Sequence, residues 1–162
     1  MNGILKSIYV GRELHTLLFA PVCRKYGVTL TEILILLYLS SGDGRDTATD
    51  IVEGLKLAKS HVSVSVRNLE ARGYLTGSYA ENNHRTIHLR VCPAAEALLA
   101  ESSRVQSRLL AVTQQGFTEE ERATLDDYIR RMTENMNLYL QASEAGTDRR
   151  CRAGVHTAPA ER

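Results

Sequence analysis

The residues best suited to chemistry lie between Lys59 and Arg72, where small, hydrogen-bonding and basic side chains recur at helical spacing. At a rotation of about 100° per residue, Val62, Val66 and Leu69 fall within roughly 40° of one another and predict a buried face. The opposite face carries hydroxyl, amide and guanidinium groups, which suit the phosphates and base edges of a DNA major groove. The candidate DNA-binding residues on that face and its flanks are Ser60, His61, Ser63, Val64, Arg67 and Asn68.

Other kinds of chemistry find little support in the residue pattern. The sequence has no glycine-rich phosphate loop, no Gly-x-Ser-x-Gly elbow and no paired metal-ligand motif. We therefore expect a protein that is not an enzyme and that needs no cofactor or metal. His84 and His88 are four residues apart, but an alternating pattern places them on a strand, where their rings would lie too far apart to share a metal ion.

The three cysteines, Cys23, Cys92 and Cys151, are an odd number at wide spacings. This arrangement fits isolated reduced thiols better than a disulfide framework or a zinc cluster. For Cys23 a plain buried thiol is the favoured interpretation, and a redox role for Cys23 or Cys151 remains an alternative.

Composition favours a helical protein without a membrane segment. Of the 162 residues 43% are hydrophobic but only 6% are aromatic, so the core must consist mainly of Leu, Ile, Val and Ala. The longest apolar runs, 17–23 and 33–39, are much shorter than the roughly 20 residues that cross a bilayer. The charged N-terminus is not typical of a secretory signal, and we expect a cytoplasmic protein.

Periodicity and capping signals predict six helices and one hairpin. Three helices start where a threonine is followed three positions later by an acid, at Thr29-Glu32, Thr47-Asp50 and Thr118-Glu121. The predicted helices cover residues 4–25 (kinked or ended by Pro21), 30–40, 47–55, 59–72, 93–115 and 118–142. Residues 74–79 and 85–91 form the hairpin, because apolar and polar residues alternate along the second segment.

The last helix carries an apolar stripe that predicts a buried face. Its members are Leu125, Tyr128, Ile129, Met132, Met136, Tyr139 and Leu140. After Ser143 no apolar period remains, which predicts a mobile tail.

The order of elements predicts a mainly α fold with a small β-hairpin, namely a winged helix-turn-helix within a helical frame. The segment TDIVEGLKLAKSHVSVSVRNLEARGYL and the following HRTIHLRV resemble the MarR (multiple antibiotic resistance regulator) family of bacterial transcription factors, and the resemblance extends from about Leu14 to Leu140. It implies a homodimer held by long N- and C-terminal helices, with a recognition helix in the major groove and a wing near the minor groove. The resemblance also places Lys59 on the recognition helix and Arg85 at the position of the family's conserved wing arginine.

The resemblance implies a division of the chain into four segments. Residues 1–30 would be a dimerisation helix, 31–92 the DNA-binding lobe, 93–142 further dimerisation helices and 143–162 the mobile tail. The expected function is a transcriptional regulator, most simply a repressor, that binds double-stranded DNA at a pseudo-palindromic operator and is released by a small-molecule effector. Leu17, Leu18, Leu37, Leu109 and Tyr128 are candidates for the effector pocket, although each is equally compatible with ordinary core.

Several residues depart from the family pattern and support an alternative. The wing reads Asn83-His84-Arg85 instead of Asp-Arg-Arg, and Val64 stands where a basic residue is frequent. Gly54 and Lys56 replace a helix former and a turn glycine, and Ala58 provides no cap, at a cost of about 1 kcal/mol. The alternative is a winged-helix module that binds a protein partner and has weakened or lost DNA binding.

Overall fold

The computed structural model describes residues 3–80 and 83–145, and for residues 80, 83–85, 144 and 145 it describes the backbone alone. The elements are α1 (Gly3–Tyr26), α2 (Leu30–Ser40), α3 (Ala48–Leu55), α4 (Lys59–Ala71), β1 (Leu75–Ala80), β2 (Asn83–Val91), a 3-10 turn (Pro93–Ala95), α5 (Glu96–Thr113) and α6 (Glu119–Ala145). The predicted mainly α class with one antiparallel hairpin is confirmed. The chain divides into two units, one ending at Thr113 and the other beginning at Gln114.

The three predicted capping boxes are all present. At the start of α2, the Thr29 hydroxyl oxygen accepts the Glu32 N–H at 3.2 Å, and the Glu32 carboxylate accepts the Thr29 N–H at 2.7 Å. The same reciprocal pair of bonds starts α3 at Thr47 and Asp50 and α6 at Thr118 and Glu121. Each box satisfies backbone donors that have no partner within their helix, so these starts are determined locally.

Several predicted helix ends differ from the observed ones, since α4 ends at Ala71 and α5 covers Glu96–Thr113 instead of residues 93–115. Pro21 does not end α1, because the helix continues to Tyr26, and a kink at this proline stays a prediction. Phe19 and Val22 are 0% and 2% exposed on either side of the proline, and their burial holds the helix across the missing backbone bond. Helix α6 continues to Ala145, beyond the predicted end at residue 142, and the rest of the predicted tail lies outside the described residues.

The core of the first unit forms around α2, which contacts α1, α3, α4, α5 and β2. The face of α4 predicted to be buried is confirmed, since Val62, Val66 and Leu69 are at most 9% exposed. The buried hydrophobic residues are Phe19, Val22, Val28, Ile33, Ile35, Leu36, Ile51, Val62, Val66, Leu69, Leu75, Leu89, Ala95 and Leu98.

The apolar stripe of α6 is not a buried face within this chain. Leu125 is partly buried, whereas the other six members of the predicted stripe are 39–75% exposed. On α1, Ile4, Ile8 and Tyr9 are likewise 52–63% exposed. None of the described helices is long and apolar enough to span a bilayer.

Gly54 has a packing role that its helix propensity does not predict. A Cβ at this position would meet the ring of Tyr38 on α2, at 2.6 Å from the hydroxyl oxygen. The same hydroxyl donates to the Asp50 carbonyl at 3.0 Å, which holds the ring against α3. Glycine is therefore required for α2 and α3 to approach this closely. Lys56, just beyond α3, adopts the left-handed conformation with φ 52° in place of the turn glycine.

We expect Gly54→Ala to lower the free energy of unfolding by about 1–3 kcal/mol, the usual cost of overpacking. At an exposed position inside a helix, a change from glycine to alanine would instead raise the free energy of unfolding, because alanine is the better helix former by about 1 kcal/mol. Urea denaturation measures the change. In a Tyr38→Leu background the ring is absent, so the cost of Gly54→Ala should disappear. A higher urea midpoint for the single Gly54→Ala variant would contradict this packing account.

Candidate nucleic-acid interface

Helix α4 has a buried face and an exposed polar face. The predicted residues Lys59, Ser60, His61, Ser63, Val64, Arg67 and Asn68 are all exposed, while Val62, Ser65, Val66 and Leu69 are buried. We call these seven exposed residues the recognition face. Val64 is 49% exposed and is its one aliphatic member. Ala58 starts α4 without a side-chain hydrogen bond, as its sequence predicts.

Arg67 lies along the helix that carries it. Its Nε–H donates to the carbonyl oxygen of Ser63 at 3.3 Å, one turn earlier in α4. This bond holds the guanidinium beside Ser63 and Val64, so the cation lies next to the small residues of the recognition face.

Asn68 differs from the other members of the recognition face. Its amide Nδ2 donates to Glu32 Oε1 at 3.0 Å, and Glu32 is only 3% exposed. The bond joins residues that are 36 positions apart, so no local sequence signal identifies it. Glu32 was recognised in the sequence only as a capping residue, and a DNA contact by Asn68 stays a prediction.

The base of the wing is attached to the segment before α3. The Leu89 N–H donates to the Asp46 carbonyl at 2.8 Å, and Asp46 Oδ1 lies 2.7 Å from His88 Nδ1. A bridge between Thr47 and His88 adds a further backbone contact. The wing therefore begins from a position that is fixed relative to α3. No local sequence pattern identifies this role of Asp46, because it depends on the position of β2.

Asp50 is held in its charged form at the start of α3. Hydrogen bonds from the Thr47 side chain and backbone lower the pKa of the Asp50 carboxyl. A negative charge at a helix N-terminus also interacts favourably with the helix dipole.

The wing arginine and the two candidate redox cysteines lie in different parts of the chain. Arg85 lies on β2, and its side chain and all of Cys151 are outside the described residues. Burial raises the pKa of the Cys23 thiol, which favours the protonated and less nucleophilic form. Cys23 is partly buried, and the plain thiol stays the favoured prediction.

The candidate effector residues do not share one environment. Leu17 is 67% exposed, Leu18 and Leu109 are partly buried, and Leu37 packs against the core of the first unit. Tyr128 belongs to the second unit and is 55% exposed. Their assignment to an effector pocket stays a prediction.

A cleft of about 440 Å³ lies elsewhere, between α3, α4 and β2. Apolar side chains such as Val52, Val62 and Ile87 form its walls, and Ser63 and Arg67 of the recognition face also line it. The cleft needs β2 to pack beside the consecutive helices α3 and α4, and no local sequence pattern indicates that contact.

Comparison with known proteins matches residues 26–85 to the MarR family. The match extends from the end of α1 to Arg85 on β2, and it confirms the resemblance over these residues. A comparison with curated proteins gives no match.

Solved structures of transcriptional regulators share the fold. A MarR family regulator from Listeria monocytogenes, solved with a 26-mer DNA, has a TM-score of 0.79 at 22% identity over 92% of this chain and 99% of its own. The transcriptional regulator SlyA has a TM-score of 0.76 at 19% identity, covering 86% and 98%. BpsR of Bordetella bronchiseptica, whose DNA binding is regulated by 6-hydroxynicotinic acid, has a TM-score of 0.65 at 18% identity, covering 82% and 99%.

Proposed function

We propose that this protein, whose residues 26–85 form a MarR-type winged helix-turn-helix, is a transcriptional regulator that binds double-stranded DNA through α4. The observation that carries the proposal is the recognition face, which stays exposed because the opposite face of α4 is held in the core. Small residues such as Ser60 and Ser63 permit close approach to base edges, and Lys59 and Arg67 suit phosphates or guanine. The Listeria relative in complex with DNA supports this assignment.

The wing would supply a second contact beside the recognition helix. Arg85 lies on β2, whose base is attached to Asp46, and by resemblance to the family its side chain would enter the minor groove. Val64 would contact a thymine methyl group, since an aliphatic side chain has no donor for other base edges. Repression is the expected direction of regulation by the same resemblance.

Removal of one cation from the recognition face should weaken DNA binding. We expect Lys59→Ala and Arg67→Ala each to weaken binding to the gene's own upstream region by about tenfold, equivalent to about 1.4 kcal/mol. Mobility-shift titrations over a salt series measure this, and the salt slope should fall by about one for each phosphate that is no longer bound. Arg24→Ala is the matched control, because it removes an exposed cation from α1 and should change the affinity less than twofold.

The same titration separates the two functional hypotheses. Salt-sensitive and sequence-selective retention of DNA by the wild type supports the regulator. If no DNA is retained even at low salt, the protein-interaction module becomes the better hypothesis.

We also propose that the protein is a homodimer joined through its terminal helices. The supporting observation is the exposed apolar stripe of α6 together with exposed Ile4, Ile8 and Tyr9 on α1, since soluble proteins rarely leave such surfaces uncovered. A two-fold axis would present two copies of α4 to half-sites about 34–36 Å apart on one side of the duplex.

A charge placed within the apolar stripe should prevent association. Light scattering at micromolar concentration is expected to give twice the 18.0 kDa of one chain for the wild type and one chain for Met136→Glu. Gln141→Glu introduces the same side chain on the opposite side of α6 and should leave the dimer intact. A monomeric wild type, or equal effects of the two substitutions, would refute the proposed interface.

The proposed regulator would be released from DNA by a small molecule. The cleft between α3, α4 and β2 supports this because Ser63 and Arg67 line it and also belong to the recognition face. A ligand in the cleft would therefore compete with DNA for the same side chains. Small aromatic acids are the first class to test, given the ligand of the BpsR relative. Lys59 and Arg67 line the cleft and would pair with the carboxylate of such a ligand, while Glu53 and Glu70 in the same lining balance their charge.

The two candidate effector positions can be distinguished with one probe. We expect 6-hydroxynicotinic acid to raise the melting temperature and to reduce the mobility shift of the wild type. Val52→Trp should abolish both effects by filling the cleft, whereas Leu109→Trp should preserve them. The reverse pattern would locate the ligand among the leucines predicted from the sequence, and an inert probe would exclude this ligand.

A further inference from the structure

We propose that Glu32 is a positioning residue for DNA recognition, which sets the orientation of α4 through its hydrogen bond to Asn68. The inference rests on the proposed DNA-binding function and assigns Asn68 to the orientation of α4 instead of to a base contact.

Both carboxylate oxygens of Glu32 are engaged, in two different directions. Oε2 accepts the backbone N–H of Thr29 at 2.7 Å, which fixes the carboxylate at the start of α2. Oε1 accepts the amide Nδ2 of Asn68 at 3.0 Å, which attaches α4 to that fixed point. Because Glu32 is 3% exposed, loss of either partner leaves a buried carboxylate oxygen without a hydrogen bond, which costs stability.

A second contact holds the end of α4 to the same region. Arg72, four residues after Asn68, donates from Nη1 to the Tyr26 carbonyl at 3.3 Å. Its guanidinium lies against Gly27, where a Cβ would be only 3.1 Å from Nη1. Helix α4 is thus attached twice to the turn between α1 and α2 (Gly27–Thr29) and its immediate flanks.

This geometry links the recognition helix to the proposed dimerisation helix. The turn directly follows Tyr26, the last residue of α1, so the two contacts fix α4 relative to α1. Hydrophobic burial of Val62, Val66 and Leu69 selects which face of α4 is exposed but tolerates small rotations. The directional bonds to Glu32 and Tyr26 restrict those rotations, and therefore the separation of two half-site contacts.

The inward bond restricts the orientation of the Asn68 amide. Bidentate recognition of adenine by asparagine uses one amide N–H and the carbonyl oxygen. In this structure one N–H of Asn68 donates to Glu32. A base contact through the second N–H and the oxygen would have to accept the amide plane that this bond sets, so the bond to Glu32 is the interaction that the structure shows for Asn68.

A reciprocal exchange of the two side chains tests the proposal. Asn68→Asp places two carboxylates against each other and should weaken specific DNA binding at least tenfold. It also adds a negative charge to the recognition face and weakens non-specific binding, so it is compared with a double variant that carries the same aspartate. In the double variant Glu32→Gln/Asn68→Asp, the introduced glutamine amide can donate to the introduced aspartate while its oxygen still accepts from Thr29. The double variant keeps the net charge of the wild type and should bind the operator within about threefold of it. Glu32→Gln alone should also bind well, because the Asn68 amide can turn to present its oxygen.

The outcomes separate this inference from the proposed function. If the wild type retains no DNA, the proposed function fails. If the wild type binds but Asn68→Asp and the double variant are equally weak, Asn68 acts directly on DNA and the positioning role is refuted. Unchanged binding by Asn68→Asp also refutes it. If Asn68→Asp does not fold, the operator affinity of the double variant is compared with that of the wild type. Only a positioning role predicts that DNA binding recovers when both substitutions are combined.

Discussion

The burial of one face of α4 is the constraint on which the winged helix-turn-helix depends. Val62, Val66 and Leu69 are at most 9% exposed, and the helix that carries them contacts α2, α3 and β1. Burial of each such side chain contributes about 1.5–3 kcal/mol, and a shift of one residue would rotate the helix by about 100° and remove these side chains from the core. The outward direction of Ser60, Ser63 and Arg67 is therefore determined by apolar neighbours and not by the polar residues themselves.

Directional hydrogen bonds add precision that hydrophobic packing does not provide. Glu32 first closes a capping box and then accepts a bond from Asn68, so one carboxylate serves both a local and a distant partner. Asp46 attaches the base of the wing through its backbone carbonyl and its side chain. Both acids join elements that are far apart in the sequence.

Exposed apolar residues and the polar recognition face have different consequences for the molecule. The recognition face is stable in water, because its side chains are polar or small. The apolar stripe of α6 and the exposed aliphatic residues of α1 are not, and their exposure is the physical reason to expect a second copy of the chain. DNA recognition at two half-sites would then depend on an interface that the single chain leaves open.

The sequence alone determined the elements, since capping boxes and apolar periodicity depend on residues at most four positions apart. It also determined which face of α4 is exposed, and the structure confirms both. Pro21 shows the limit of local reasoning, because distant packing around Phe19 and Val22 keeps α1 intact. The apolar pattern of α6 likewise indicated a need for burial without showing that this chain leaves the stripe uncovered.

Only the tertiary structure decided which residues far apart in sequence meet. Gly54 against Tyr38, Glu32 with Asn68, Asp46 with His88 and the cleft between α3, α4 and β2 all join separate elements. The physical reason is that a hydrogen bond or a steric contact acts over a few ångströms, and the distance between two elements is set by the packing of the whole core. The local sequence pattern predicts whether a side chain faces the core or the solvent. The tertiary structure determines which distant residue it contacts.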